Sequence, residues 1–144
     1  MCKSKNVILK NHTTFKVGGP ADEFYEPENF EELIEIIHQC KIQEKKYFIL
    51  GGGSNLVFSD AGFRGTVICT KKLNKIKLID SNHVIAEAGA TMKELVDFCI
   101  ENGLSGMEEF AGLPGSVGGA LYMIARGFEK SVSDTLSETH WLEE

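Results

Sequence analysis

Three consecutive glycines follow a short apolar run in the segment YFILGGGSNLVF, residues 47–58. The apolar run predicts a buried strand, and the glycines place its end where the backbone must turn or admit a close neighbour. Backbone N–H groups that converge in such a turn can bind phosphate oxygens. Two interpretations are open at this point: a phosphate-binding loop at residues 51–55, or a glycine-rich turn that binds nothing.

The size and charge of the chain limit the classes of function. Its 144 residues suffice for one ordinary domain or two small packed subdomains. The formal net charge is −6 and the lysines and arginines form no long cluster, which argues against nucleic-acid binding. An acidic chain can still bind a diphosphate if the donors are backbone amides and helix N-termini. We therefore expect an anionic ligand held mainly by main-chain groups.

The cysteines, histidines and apolar runs argue for a cytoplasmic protein without a metal site or a membrane segment. No apolar run has the length of a membrane span, and the N-terminal segment lacks the core of a signal peptide. The cysteines lie far apart in the sequence, form no Cys-x-x-Cys motif and fit a reducing compartment. The four histidines share no metal-ligand spacing.

The first half of the chain predicts a strand–helix–strand unit. Residues 22–27 predict a strand, and Asn29 with Glu32 predicts the capped start of a helix over residues 29–43. The second strand is residues 47–50, and the two strands should be parallel, with a right-handed crossover. The predicted apolar face of the helix consists of Phe30, Leu33, Ile34, Ile37 and Cys40.

The second half predicts a strand at residues 66–69, a hairpin and a second helix. Residues 74–80 and 83–89 alternate as two strands joined by a polar turn. Thr91 and Glu94 form a capping box before a helix that ends at Gly103, whose apolar stripe is Met92, Leu95, Val96, Cys99 and Ile100. We place a boundary between two subdomains near Leu73, dividing the chain into residues 1–73 and 74–144.

A second glycine cluster, AGLPGSVGGALYM, occupies residues 111–123. Its last part could begin a helix whose N-terminus faces an anion, but small residues in such a stretch also allow close helix packing. A Rossmann fingerprint is unlikely because Leu56 replaces the third glycine, and the Gly-Lys-Ser/Thr of a P-loop is absent. The best account is a diphosphate site made of two loops, residues 51–55 and 115–119.

Four motifs in this order and spacing resemble the UDP-N-acetylenolpyruvoylglucosamine reductase (UDP-N-acetylmuramate dehydrogenase) family. They are NHTTFKVGGPA, LGGGSNLVFSDAGFRGTVI, GLSGMEEFAGLPGSVGGALYM and SVSD, and they extend from about Asn11 to Asp134. Members of that family are flavoenzymes that make the muramic acid unit of bacterial peptidoglycan. In the complete enzyme, NADPH reduces FAD, and the reduced flavin in turn reduces the enolpyruvyl group.

The resemblance implies an α+β fold of the vanillyl-alcohol-oxidase (PCMH) type, with two small α/β subdomains that hold FAD between them. It implies that the first loop holds the FAD diphosphate and that the second runs along the diphosphate and the flavin. The implied cofactor-binding residues are Gly51, Gly52, Gly53, Ser54, Asn55, Gly112, Leu113, Pro114, Gly115, Ser116, Val117, Gly118 and Gly119. Thr14, Phe15 and Gly18 match the family's N-terminal segment, and we interpret Arg64 as structural rather than as a ligand.

The chain departs from the family pattern in two ways. Ile124 stands where we expect Asn, Phe128 where Tyr is usual and Glu129 where Gly is usual. The family also continues for about as much chain again, so that the second subdomain is expected to be incomplete here and the substrate-binding domain absent. The final segment, residues 138–144, should be a strand of the second subdomain. The family's catalytic residues have no counterpart in this sequence, and we nominate none.

Three functional hypotheses follow from these observations. The chain is the FAD-binding portion of such a reductase, or a module that binds FAD or another nucleotide together with a separate partner chain, or a remnant without catalytic function. An incomplete sheet has an unpaired edge, which another chain tends to cover. We therefore also expect self-association, through strand exchange at the C-terminus.

Overall fold

A four-stranded sheet and a smaller helical unit make up the fold in the computed structural model, which describes residues 2–142. The helices are α1 (Phe30–Ile42), α2 (Met92–Glu101) and α3 (Val117–Tyr122). The strands are β1 (Cys2–Ile8), β2 (Pro20–Glu26), β3 (Tyr47–Leu50), β4 (Phe63–Cys69), β5 (Ile76–Leu78), β6 (Val84–Ala86), β7 (Arg126–Gly127) and β8 (Lys130–Ser131). Short 3-10 turns connect several of them, including Leu9–His12 and Thr70–Lys72.

The strand–helix–strand unit lies in the four-stranded sheet, whose order is β1-β2-β4-β3. Strands β2 and β3 each pair in parallel with β4, so that they run parallel to each other as predicted. They are not neighbours, because β4 lies between them. Strand β4 begins at Phe63, three residues earlier than predicted, since Phe63 pairs with Ala21 of β2 before an irregularity that ends at Thr66.

The edge strand β1 was not predicted from the sequence. It pairs antiparallel with β2, and Lys3 forms an ion pair of 2.9 Å with Glu23 on that strand. Its sequence is polar because it has only one neighbour and lies at the sheet edge, where lysines also discourage pairing with other chains. The apolar pattern that predicts a buried strand is therefore missing from it.

Helix α1 begins as predicted, with the Asn29 side chain accepting the N–H of Glu32 at 2.9 Å. The prediction of its buried face was partly wrong. Leu33 and Cys40 are buried, but so is Ile36, whereas Phe30 and Ile34 are 41% and 47% exposed. Several overlapping sets of residues at helical spacing are apolar in this sequence, and only contact with the sheet decides which one is covered.

Separate groups of buried side chains stabilise the two halves of the chain. One core contains Phe24, Leu50 and Val67 of the sheet, and a second contains residues of α1 together with Tyr25 and Ile68. Because side chains alternate along a strand, neighbours such as Val67 and Ile68 belong to these two different cores. A third core lies in the second half, where α2 and α3 bury Met92, Val96, Phe110, Val117 and Ala120.

The second half confirms the predicted hairpin and helix, with differences at the ends. Strands β5 and β6 pair antiparallel but are only three residues long. The Thr91–Glu94 capping box is present, and Gly103 follows α2 with a φ of +69°. The strand predicted for residues 138–144 was wrong for residues 138–142, where no pairing partner organises the backbone, and residues 143–144 lie outside the described part.

None of the helices within residues 2–142 combines the length and the hydropathy that a membrane span requires.

Candidate functional site

The two glycine loops contact each other, although some 60 residues separate them in the sequence. The N–H of Gly52 donates to Ser116 Oγ at 3.3 Å, and Ser54 Oγ donates to the carbonyl oxygen of Pro114 at 3.4 Å. We call this contact between residues 51–55 and 112–119 the glycine junction. The two loops therefore lie in one place, as a shared ligand requires.

The approach of the two loops requires glycine. A Cβ on Gly52 would lie 2.7 Å from the Cα of Gly115, and a Cβ on Gly115 would lie 2.6 Å from Ser54 Oγ. A Cβ on Gly51 would lie 2.3 Å from Ser116 Oγ. A side chain on residue 52 would separate the loops, because the atoms that it meets are backbone, whereas the other two contacts involve serine hydroxyls that would have to turn aside.

The first loop is fixed by the N-terminal segment. Gly53 has a φ of +76°, and its carbonyl oxygen accepts the N–H of Thr14 at 2.9 Å. A Cβ at this position would lie 2.1 Å from the carbonyl oxygen of His12. The Thr-Thr-Phe segment that carries part of the family resemblance is thus the support on which the loop rests.

The second loop is anchored to the segment before α2. Ser116 is buried and caps α3 by accepting the N–H of Gly119 at 3.3 Å. Val117 and Gly118 donate their N–H groups to the carbonyl oxygens of Ala90 and Ala88, at 2.8 and 2.9 Å. Close packing therefore accounts for part of this cluster, because a Cβ on Gly118 would lie 2.7 Å from the Cβ of Ala88.

Several main-chain donors at the glycine junction have no protein acceptor. Within residues 2–142, this holds for the N–H groups of Gly53, Ser54, Asn55, Gly112 and Gly115. Donors that the protein does not use remain available to water or to a ligand, and phosphate oxygens accept several at once. The residues present therefore fit a diphosphate, whereas the N–H of Gly52 is occupied by Ser116.

A cleft of about 340 Å³ opens beside the junction, and two lysines line it. Its other lining residues are Gly52, Thr91, Leu113, Pro114 and Gly115. Lys71 follows β4 and Lys93 lies in the first turn of α2, so that the fold, not the local sequence, brings them together. Sequence reasoning missed both, because it looked for clusters of basic residues along the chain.

His12 lies beside the first loop, with its carbonyl oxygen against Gly53. Partial burial lowers the pKa of its imidazole below the usual value, and the positive charge of Lys71 lowers that pKa further. The ring packs against Phe24 with centroids 4.6 Å apart. Neutral His12 therefore adds no charge beside the loop at neutral pH.

The guanidinium of Arg64 is bound by other residues of the protein, in agreement with its interpretation as structural. Its guanidinium forms a 2.7 Å ion pair with Asp22 and donates to the carbonyl oxygen of Ala61 at 2.9 Å. These contacts fix the loop before β4. In the described part of the chain, no group of three or more His, Cys, Asp or Glu residues could hold a metal ion.

The departures from the family pattern coincide with backbone strain. Ile124 and Phe128 have φ angles of +48° and +49°, in the left-handed region. A β-branched residue there is a clear outlier, while Asn and Gly occupy it readily. The Asn expected at position 124 would thus suit the backbone as well as supply an amide.

Replacing Ile124 by Asn is expected to raise the free energy of unfolding by about 1 kcal/mol. Little apolar burial is lost, because the Ile124 side chain is 64% exposed. Chemical denaturation of both proteins measures the change. Ile124→Ala is the matched control, since it removes the same side chain but keeps a residue that is disfavoured at positive φ. Equal stability of the Asn and Ala variants would contradict the strain argument.

Comparison with known proteins supports the resemblance in the sequence. The family model described as FAD binding domain matches residues 21–140. The UDP-N-acetylenolpyruvoylglucosamine reductase of Clostridium novyi is 42% identical over 131 residues, which cover 91% of this chain and 42% of that protein. The enzyme of the same name from Carboxydothermus hydrogenoformans is 40% identical over 140 residues, which cover 97% of this chain and 46% of that protein. The chain thus spans less than half the length of these curated relatives.

Solved structures agree with this assignment. The crystal structure of UDP-N-acetylenolpyruvylglucosamine reductase from Thermus caldophilus matches with a TM-score of 0.71 and 35% identity, covering 90% of this chain and 45% of that one. The oxidoreductase GilR, which catalyses the terminal step of gilvocarcin biosynthesis, matches with a TM-score of 0.58 and 14% identity. The match covers 70% of this chain and 22% of GilR, and at this identity it shows the fold alone. With its α+β fold of the vanillyl-alcohol-oxidase (PCMH) type, the chain belongs to the FAD binding domain family.

Proposed function

We propose that this chain is the FAD-binding portion of a UDP-N-acetylenolpyruvoylglucosamine reductase-like flavoenzyme, and that it holds the FAD diphosphate at the glycine junction. The observation that carries the proposal is the meeting of two glycine loops with main-chain donors that the protein leaves unused. Such donors bind the charged oxygens of a diphosphate without requiring a basic sequence.

The predicted site residues divide into two roles in this proposal. The N–H groups of Gly53, Ser54, Asn55, Gly112 and Gly115 would donate to the diphosphate, because no protein acceptor occupies them. The others would shape the site: they allow close approach, anchor the second loop or line the cleft. These are Gly51, Gly52, Leu113, Pro114, Ser116, Val117, Gly118 and Gly119.

Flavin bound at this site would supply two-electron redox chemistry. The named relatives are reductases, and we propose the same reaction class for the protein to which this chain contributes, with NADPH as reductant. The role of the described residues is to bind and orient the cofactor. No residue of this chain is assigned to the reduction of substrate.

We also propose that the chain comprises two subdomains that meet near Leu73 and that it works in the cytoplasm. The separate cores support the division, since one set of buried residues ends at Leu73 and the next begins with partly buried Ile76. Cys40, Cys69 and Cys99 are buried and free, which agrees with a reducing compartment.

Titration of the purified, flavin-free chain with FAD tests the proposed cofactor site. We expect binding that quenches or shifts the flavin fluorescence, and weaker binding of riboflavin, which has the same ring system but no diphosphate. Inorganic pyrophosphate should compete with FAD. A chain that binds neither FAD nor pyrophosphate would refute the proposal and leave the interpretation as a remnant without function.

A second copy of the chain is the partner that we propose for its exposed apolar side chains. Tyr122, Met123, Phe128 and Trp141 are between 54% and 84% exposed, and a second chain that covered them would remove this apolar surface from water. The predicted exchange of a C-terminal strand has no support in residues 138–142. We propose contact through these side chains instead.

Sedimentation at several micromolar concentrations is expected to show self-association. Phe128→Ser should shift the equilibrium toward the monomer, because it removes the most exposed of these rings. Phe15→Ser is the control, since Phe15 is also exposed but lies in the N-terminal segment. A monomeric chain at all concentrations, or equal effects of the two variants, would argue against this interface.

A further inference from the structure

Lys71 lines the cleft beside the glycine junction. Among the described residues, no carboxylate forms an ion pair with its ammonium group. The neighbouring Lys72 is paired with Glu28 at 2.7 Å, and Lys93, on the other side of the cleft, is paired with Asp97. Lys71 is thus the cation of this cleft that a ligand would meet without first breaking an ion pair.

The carboxylate of Glu26 opposes the effect of Lys71 on the pKa values of His12 and Cys69, but among the described residues it forms no ion pair with Lys71. Glu94 accepts the N–H and the hydroxyl of the cleft residue Thr91, each at 2.8 Å, and caps the start of α2. Lys71 lines the same cleft as Gly52 of the first loop and Gly115 of the second, and its charge also lowers the pKa of the His12 imidazole.

We propose that Lys71 is the cationic anchor for the diphosphate at the glycine junction; this inference rests on the proposed FAD function. The chain carries a formal net charge of −6 and therefore repels an anion at long range. Main-chain amides provide directional donors but no net charge. A lysine on the cleft wall offsets the repulsion locally and adds a charge-assisted hydrogen bond. Any ligand with a diphosphate should be affected, whatever its other groups.

The test compares Lys71→Met with the unaltered chain, using FAD, ADP and riboflavin as ligands. At a salt concentration of about 50 mM, we expect FAD and ADP to bind roughly 3- to 10-fold more weakly to the variant. Riboflavin, which lacks phosphate, should bind equally to both. At about 500 mM salt the difference should shrink, because ions screen an exposed charge. Lys71→Arg should retain most of the affinity, since it keeps the charge.

Lys46→Met is the matched control. Lys46 lines a different cleft, beside Asp22 and Arg64, and its replacement lowers the net charge from −6 to −7, as the replacement of Lys71 does. This variant should bind FAD like the unaltered chain. Equal affinities of Lys71→Met and the unaltered chain would overturn the role of Lys71 while leaving the FAD site intact. Failure of the unaltered chain to bind FAD or ADP would overturn both proposals.

Discussion

Alanine at position 52 is expected to weaken FAD binding by roughly 10- to 150-fold while the chain still folds. The new Cβ would lie 2.7 Å from the Cα of Gly115 and 3.0 Å from the N atom of Ser116, so that one loop must move. Movement misaligns main-chain donors that both loops direct at the same diphosphate. Loss of a single hydrogen bond to a charged group costs roughly 1.5–3 kcal/mol, which corresponds to the expected factor.

Fluorescence titration with FAD measures this effect, and Gly112→Ala is its control. Gly112 belongs to the same loop pair, but a Cβ there has no heavy atom within 4 Å, and only its φ of +86° disfavours alanine. Because alanine keeps the N–H of residue 112, the control should lose some stability but little affinity. If Gly52→Ala bound FAD as tightly as Gly112→Ala, the close approach of the two loops would have no part in holding the cofactor.

Local signals explain which parts of the fold could be predicted from the sequence. The starts of α1 and α2 depend on a cap residue and a glutamate three positions later, and these contacts form within one turn. The parallel relation of β2 and β3 follows from the helix that joins them. Both features depend on residues close together in the chain, which is why the pattern alone is sufficient.

Features that depend on distant partners could not be predicted. Strand β1 is polar because it has a neighbour on one side only, and the insertion of β4 between β2 and β3 is decided by pairing across the sheet. The buried face of α1 shifted to include Ile36 for the same reason. In each case the sequence allowed more than one arrangement, and tertiary contacts selected one.

The candidate site likewise has features that the sequence predicts and features that only the fold creates. The glycine clusters were recognisable because the absence of side chains is itself a sequence signal, and the structure places the two loops in contact. The lysines of the cleft could not be recognised from the sequence, since Lys71 and Lys93 come from different elements and neither belongs to a basic cluster. The sequence predicts a ligand held mainly by main-chain groups, and our proposal for Lys71 adds one charged side chain to them.

Gly53→Ala is expected to cause the largest loss of stability in the first loop, a decrease of roughly 2–5 kcal/mol in the free energy of unfolding. About 1–2 kcal/mol comes from placing alanine at a φ of +76°. A further contribution of about 1–3 kcal/mol comes from overpacking, because the Cβ would lie 2.1 Å from the carbonyl oxygen of His12, which is backbone and cannot rotate away. The hydrogen bond from Thr14 to the Gly53 carbonyl is strained by the same displacement.

Gly103→Ala separates the two contributions to this loss. Gly103 has a similar φ of +69°, but a Cβ at that position would have no heavy atom within 4 Å, so that only the backbone contribution applies there. Urea denaturation of both variants should give a lower free energy of unfolding for Gly53→Ala. The difference between the two variants should equal the contribution from overpacking. Equal losses would mean that residues 12–14 yield easily to a side chain. In that case the N-terminal segment would not hold the first loop in position, and the preorganisation of the main-chain donors would have to come from the second loop alone.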